Sequence, residues 1–162
     1  MAKKWDENCK SCQATRGINR LTTAPRILET KHWVIEHAGS VSIRGWLVLV
    51  IKRHCTALHE LTEAEMVELG KLARIICRGL HTILKTEKEY LMQYAEGIGF
   101  AHVHVHIVAR LPKWPKRLRG PRVMKAMGED VKGKLTTEEV TPLALTIREY
   151  LLKNVPKELI VK

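Results

Sequence analysis

The sequence lacks a long hydrophobic run. Its longest apolar stretch is the six residues from Trp46 to Ile51, whereas a helix that crosses a bilayer needs about 20. No secretory signal peptide is evident, because polar residues occupy the place near the N-terminus where an apolar stretch would be expected. We therefore expect a soluble, cytoplasmic protein with no membrane association.

Repeats and low-complexity segments are also missing. The hydrophobic fraction of 45% and the charged fraction of 28% are typical of globular proteins and exclude collagen-like and fully disordered chains. The pattern shows no strand–helix–strand alternation of the kind that builds a parallel sheet. A length of 162 residues corresponds to about one domain, so we predict a single domain over 1–162.

Acidic residues are few relative to basic ones. The chain has 17 Asp and Glu against 28 Lys and Arg, which gives a formal net charge of +11. Such an excess favours polyanionic partners, namely nucleotides, nucleic acid or acidic surfaces. The charge alone does not choose among them, and nucleic acid stays a possible partner that is not favoured.

The four cysteines are few enough to exclude a disulfide-rich scaffold. Even parity permits two disulfides, but nothing marks a secreted chain, and Cys77 falls on a predicted buried helix face. In a reducing compartment the close pair Cys9-x-x-Cys12 is either a metal-binding or a redox pair. A redox pair is disfavoured because no strand–helix unit surrounds it.

Hydrophobic periodicity predicts an α+β fold with an antiparallel sheet. The capping-box sequence that begins at Thr62 opens an amphipathic helix over 62–85. A second helix spans about 137–153, with Pro142 as its weak point. Between the last strand and this helix we predict a long, irregular, basic loop over 111–135. The predicted strands are 26–29, 32–37, 46–51, 89–96 and 101–110, the last two joined as a hairpin by Gly97-Ile98-Gly99.

Three histidines alternate with apolar residues in the last predicted strand, 101–110. On a strand, His102, His104 and His106 share one face, and the residues between them share the other. A polar outer face would more often use Thr, Lys or Glu. A metal site made of all three is disfavoured, since they span about 13 Å while zinc–nitrogen bonds measure about 2.1 Å. Chemistry by one histidine, supported by its neighbours, is the better interpretation.

The run His102-Val-His104-Val-His106-Ile-Val resembles the signature of the histidine triad (HIT) superfamily of nucleotide hydrolases and transferases. The segments 45–54 and 58–62 are similar to that family's basic-His strand and to the motif before its long helix, and many bacterial members carry a CxxC near the N-terminus. The resemblance covers a core of about 9–110. It implies a five-stranded antiparallel sheet with one long helix, to which a C-terminal helix is added, and a homodimer.

By this resemblance, His104 attacks the α-phosphate of a nucleotide and forms a covalent nucleotidyl-histidine. An unprotonated imidazole is a good nucleophile near neutral pH. His106, on the same face, either orients His104 or contacts a phosphate oxygen. The predicted substrate-binding residues are Gln93, Gly99 and His106.

The resemblance also implies a structural zinc ion. In CxxC-bearing members, the histidine after the basic strand and the first histidine of the triad complete the ligand set. The implied ligands are therefore Cys9, Cys12, His54 and His102, which fits the preference of zinc for four sulfur or nitrogen ligands.

Several family features are absent from the chain. Ile98 and Gly99 stand where members usually have Gln and Ser, and Trp46 stands where many have a histidine. Ala38 stands where members have the acidic residue that holds the ribose hydroxyls. We expect Gln93 to take over the polar role of the missing Gln. Two alternatives stay open: a zinc-stabilised nucleotide-binding protein with little catalysis, and an enzyme that acts on adenylate linked to nucleic acid.

Overall fold

The computed structural model describes residues 5–20 and 22–161. Five antiparallel strands form one sheet, which confirms the predicted fold class. Their order across the sheet is Leu28–Glu29, Trp33–His37, Trp46–Ile51, His104–Arg110 and Lys88–Met92. Three α-helices accompany the sheet, and 3-10 turns occupy Leu58–Glu60, Lys116–Leu118, Gly120–Ala126 and Lys157–Leu159. The strands are β1 (Leu28–Glu29), β2 (Trp33–His37), β3 (Trp46–Ile51), β4 (Lys88–Met92) and β5 (His104–Arg110), and the helices are α1 (Lys10–Thr15), α2 (Glu63–Leu84) and α3 (Thr137–Asn154).

The main core lies between one face of the sheet and the helices α2 and α3. Helix α2 begins as predicted: the Thr62 hydroxyl accepts from the Glu65 amide, and the Glu65 carboxylate accepts from the Thr62 amide. Within the described part of the chain, no helix is long and apolar enough to cross a membrane. The fully buried side chains of this core include Leu47, Leu49, Leu72, Ile76, Leu80, Ile107 and Ile147.

Helix α3 continues through Pro142. A proline inside a helix costs about 3 kcal/mol because it removes one backbone hydrogen bond. The flanking residues Leu143, Ala144 and Ile147 are buried in the main core. Their burial stabilises the helix on both sides of the proline, since burying apolar surface contributes about 25 cal/mol per Å².

The last two strands pair antiparallel as the predicted hairpin does, but the predicted short connection between them is wrong. Strand β4 ends at Met92 and β5 begins at His104, so the connection is much longer than Gly97-Ile98-Gly99. The chain leaves β4 early, and Ala95 adopts a left-handed backbone conformation with φ of 58°. The amide of Val103 bonds to the Cys55 carbonyl and not to β4, so His102 lies just ahead of the strand.

The segment 111–135 is irregular, as predicted, but it is packed against the sheet. This segment contains two 3-10 turns, and its apolar side chains pack on the second face of the sheet. The Tyr90 hydroxyl of β4 accepts from the Gly120 amide at 3.1 Å and ties the segment to the sheet. The resulting second core contains the buried residues Ala38, Val41, Ile43, Trp46, Val108, Val123 and Ala126.

Candidate active site

The histidines lie on the face of the sheet opposite α2. Val105 and Ile107 point into the main core and are buried. His104 and His106 point to the other face, where their imidazole rings meet edge to face with centroids 5.0 Å apart. The alternation predicted from the sequence therefore places two of the three imidazoles side by side on one strand.

His104 has one free ring nitrogen. Its Nδ1 lies 2.7 Å from the backbone carbonyl of His102, and since a carbonyl only accepts, Nδ1 carries the proton. The lone pair of the neutral ring is therefore on Nε2. Burial lowers the pKa of His104, partly offset by this hydrogen bond, which raises it. The neutral, nucleophilic form is thus favoured near pH 7.

His106 has the opposite arrangement of donors and acceptors. The indole Nε1–H of Trp46 donates to His106 Nδ1 at 3.0 Å. His106 is buried, and burial lowers its pKa to about 4, with a smaller contribution from the repulsion that a protonated His104 would exert. The neighbouring imidazoles are therefore neutral at pH 7, and the like-charge repulsion that three clustered histidines would otherwise cause is absent.

His102 turns away from this pair into a cluster with two cysteines. Its Nδ1 lies 3.4 Å from Cys9 Sγ and 3.5 Å from Cys12 Sγ. His54 Nδ1 lies 3.4 Å from Cys12 Sγ. All four candidate ligand atoms lie within 4.8 Å of one another. The fold thus brings together the four residues that were predicted as a ligand set from distant parts of the chain.

The cluster fits a tetrahedral zinc ion. Bonds of about 2.3 Å to sulfur and 2.1 Å to nitrogen place neighbouring ligand atoms about 3.6 Å apart, close to the distances found. His102 Nε2–H donates to the Ile51 carbonyl at 2.7 Å, which leaves Nδ1 as the free ligand atom. Burial lowers the pKa of His102 to about 4, so its imidazole is neutral, as a metal ligand must be.

The predicted substrate-binding residues Gln93 and Gly99 lie in the connection between β4 and β5, outside the strands of the sheet. Gln93 follows the last residue of β4 and is half-buried. Gly99 has a φ of 79°, and its carbonyl accepts from the Lys10 amide at 2.9 Å. A Cβ at Gly99 would lie 3.2 Å from the Lys10 side chain. Glycine here therefore permits the close approach of α1 to the loop before the histidines.

A buried carboxylate on the histidine face was missed by the sequence analysis. Glu36 pairs in register with Val48, which pairs with His106, so Glu36 lies two strands, or about 10 Å, from that histidine. Its Oε1 accepts from Arg20 Nε at 2.9 Å and from Arg26 Nε at 3.1 Å. A charged residue within the apolar run of β2 was the available signal, but its two arginine partners come from the loop before β1.

The segment 111–127 forms a wall beside His106. Val48 and Met92, the register neighbours of His106 on the two adjacent strands, pack against the second core together with Trp114 and Leu118. Five basic side chains of this segment are exposed: Lys113, Lys116, Arg117, Arg122 and Lys125. Positive charge is thus concentrated on the segment whose apolar side chains cover this face of the sheet.

The family model described as the HIT domain matches residues 22–113, more than half of the chain. The chain belongs to the histidine triad (HIT) family. This membership places it in a superfamily of nucleotide-binding hydrolases and transferases, whose defining histidines are the ones described above. Cys9 and Cys12 lie ahead of the matched residues, so the Cys/His cluster joins the HIT domain to a preceding segment.

Solved HIT structures share the fold. A Hit-like protein involved in cell-cycle regulation from Bartonella henselae is 16% identical with a TM-score of 0.68, covering 92% of this chain and 100% of that chain. A hypothetical histidine triad nucleotide-binding protein from Sulfolobus tokodaii is 19% identical with a TM-score of 0.66, covering 90% and 93%. A Zn-bound histidine triad family protein from Mycobacterium smegmatis is 18% identical with a TM-score of 0.60, covering 90% and 96%. No curated protein matches the sequence.

Proposed function

We propose that this HIT protein is a nucleotide hydrolase or nucleotidyl transferase that works through a covalent nucleotidyl-histidine. The observation that carries the proposal is the hydrogen bond from His104 Nδ1 to the His102 carbonyl, which leaves Nε2 of His104 unprotonated on the histidine face. Imidazole in this form is a competent nucleophile toward phosphorus.

The reaction has two displacements. In the first, the Nε2 lone pair of His104 forms an N–P bond to the α-phosphorus, and the bond from phosphorus to the leaving phosphate or amine breaks. The leaving group takes that bond's electron pair and acquires a proton. In the second, water or another acceptor attacks the same phosphorus, loses a proton, and releases the nucleoside monophosphate as the N–P bond returns its electrons to His104.

The surroundings of His104 supply charge and polar groups for a nucleotide. Only Oε1 of Glu36 has a partner among the described residues, so Oε2 is available to accept from ribose hydroxyls. Glu36 would then hold the ribose hydroxyls, the role for which the family resemblance implies an acidic residue near Ala38. The exposed cations of 113–122 favour binding of a substrate with several phosphates.

We propose that the cluster of Cys9, Cys12, His54 and His102 binds one zinc ion. The donor set and spacing support this assignment. The ion would supply a structural cross-link between α1 and the chain just before β5. Because His102 also provides the carbonyl that orients His104, a rigid cluster would hold the nucleophile in place.

A second candidate function is favoured by the basic segment. An enzyme with the same chemistry that acts on adenylate linked to nucleic acid would use the cations beside His106 to hold the polynucleotide backbone. Its affinity for such a substrate would fall steeply with added salt, since each neutralised phosphate releases condensed counterions.

The decisive experiment offers the protein diadenosine polyphosphates, adenosine phosphoramidates and an oligonucleotide with a 5′-adenylate. Release of AMP is followed by chromatography. The reaction is quenched in alkali, because acid hydrolyses the N–P bond of a histidine adduct, and mass spectrometry seeks one nucleoside monophosphate on a peptide that contains His104. Release of AMP together with the adduct supports the proposal. Tight binding of these compounds with no AMP release at any pH would instead indicate a nucleotide-binding protein with little catalysis.

A further inference from the structure

The contact between Trp46 and His106 joins two buried rings on the histidine face. Trp46 is the first residue of β3 and pairs in register with Val108, so it is diagonal to His106 on the neighbouring strand, a distance that aromatic side chains reach. The indole is fully buried and meets the imidazole edge to face, with a distance of 5.9 Å between the ring centroids. Packing on the second core fixes the indole in this orientation.

An indole N–H is a hydrogen-bond donor and has no acceptor function. The 3.0 Å contact from Trp46 Nε1 therefore requires a lone pair on His106 Nδ1. The neutral ring has one proton, which must lie on Nε2. A doubly protonated His106 would place two N–H groups against each other in a buried site.

Two neighbouring imidazoles consequently have opposite tautomers. A carbonyl acceptor holds His104 in the Nδ1–H form, with a free Nε2. The indole donor holds His106 in the Nε2–H form. One ring therefore presents a lone pair beside its edge-to-face neighbour, which presents a donor.

We infer that Trp46 is a positioning residue that fixes His106 as a neutral Nε2–H donor to a phosphoryl oxygen of the substrate. The inference rests on the proposed function for its substrate, but not for the tautomer. It assigns His106 to substrate contact and not to orienting His104, whose Nδ1 is already bonded to a backbone carbonyl. It also gives a task to the residue at which the chain departs from the histidine found in many members.

A preorganised neutral donor suits the proposed reaction. Negative charge on the phosphoryl oxygens is stabilised most by donors that need no rearrangement as the reaction proceeds. If the tautomer were free to change, part of the population would present a lone pair to an anionic oxygen and repel it. Trp46 removes this alternative before the substrate binds.

The test is a spectroscopic measurement on the full chain labelled with 15N-histidine. Long-range 1H–15N spectra distinguish the two imidazole tautomers, and the spectrum of His106→Gln assigns the His106 signals. We expect His106 of the wild-type protein in the Nε2–H form at pH 7. Detection of His106 as Nδ1–H, or as the doubly protonated cation, would overturn the inference without any Trp46 variant having to fold.

The variant Trp46→Phe keeps an aromatic ring and removes the N–H. We expect a larger fraction of His106 in the Nδ1–H form than in the wild type, because no donor then faces Nδ1 and excludes a proton there. The matched control is Trp33→Phe: this indole is also fully buried and donates to the Glu65 carbonyl at 3.1 Å, but it lies in the main core on the other face of the sheet. Trp33→Phe should destabilise the protein and leave the His106 tautomer unchanged.

Kinetics separate this inference from the proposed function. With a substrate that the wild type turns over, Trp46→Phe should lower kcat by about tenfold, less than the 10²–10³ that removal of a donor costs, because a fraction of His106 keeps the correct tautomer. A tautomer shift with kcat unchanged would refute the positioning role. If the wild type turns over no nucleotide, the proposed function fails, while the tautomer measurement still tests the role of Trp46.

Discussion

Replacement of His104 by alanine should abolish turnover while leaving the fold intact. The side chain is half-buried and makes one hydrogen bond, to the His102 carbonyl. Loss of a single hydrogen bond of this kind costs about 1 kcal/mol, which lowers Tm by about 2–4 °C for a domain of this size. Loss of the nucleophile should lower kcat by about 10⁴-fold or more, equivalent to about 5.5 kcal/mol of transition-state stabilisation.

The matched control for this variant is His81→Ala. His81 on α2 also donates from Nδ1 to a backbone carbonyl, that of Thr86 at 2.9 Å, but it is exposed and lies away from the histidine face. The two variants should therefore lose similar stability, whereas only His104→Ala should lose activity. Turnover is measured as AMP release at 25 °C, well below both melting transitions, and stability is measured by thermal unfolding.

The other two histidines of the triad should give different defects. His106→Ala removes a donor and should cost about 10²–10³ in kcat, less than His104→Ala. His102→Ala should lower both Tm and the rate, because His102 belongs to the metal cluster. The variant His104→Gly should regain part of its activity in free imidazole. Near wild-type turnover by His104→Ala, on a substrate that the wild type hydrolyses, would refute the covalent mechanism.

The remaining predictions concern the metal, the basic segment and assembly. Purified protein should contain about one zinc per chain by elemental analysis. Chelation should lower Tm, because metal binding adds to the free energy of folding. A metal-free protein with a Cys9–Cys12 disulfide under reducing conditions would contradict this prediction. Sedimentation at micromolar concentration should show a two-fold dimer, since β4 lies at the sheet edge and exposes Leu91; a monomer would contradict it. Neutralising the cations of the basic segment should raise KM for polyphosphates and weaken the salt dependence of KM. A change in KM within about twofold (~0.4 kcal/mol) would indicate only a solvated surface. The residues to replace are Lys113, Lys116, Arg117, Arg119 and Arg122.

Local patterns determined most of the secondary structure. The run from Trp46 to Ile51 forms β3 with the predicted bounds, and the capping residue Thr62 sets the start of α2. Both features depend on side-chain period and on contacts within four residues, which the sequence displays directly. The strand containing the histidines was predicted for the same reason. It begins later than predicted, because the Val103 amide donates to the Cys55 carbonyl.

The sequence by itself also determined the family, because histidine and cysteine at fixed spacings are rare enough to be recognised. The same spacings predicted the two sets of residues that the fold brings together. Only the tertiary structure decided how these residues are oriented. Glu36 meets Arg20 and Arg26, and Trp46 meets the Nδ1 of His106, through contacts between segments distant in the chain. The segment 111–127 packs on the sheet and is not a free loop, because its scattered apolar residues match an uncovered face that no local pattern reveals. The tautomers of His104 and His106 follow from these long-range contacts, since a proton's position on an imidazole is set by the group that faces it.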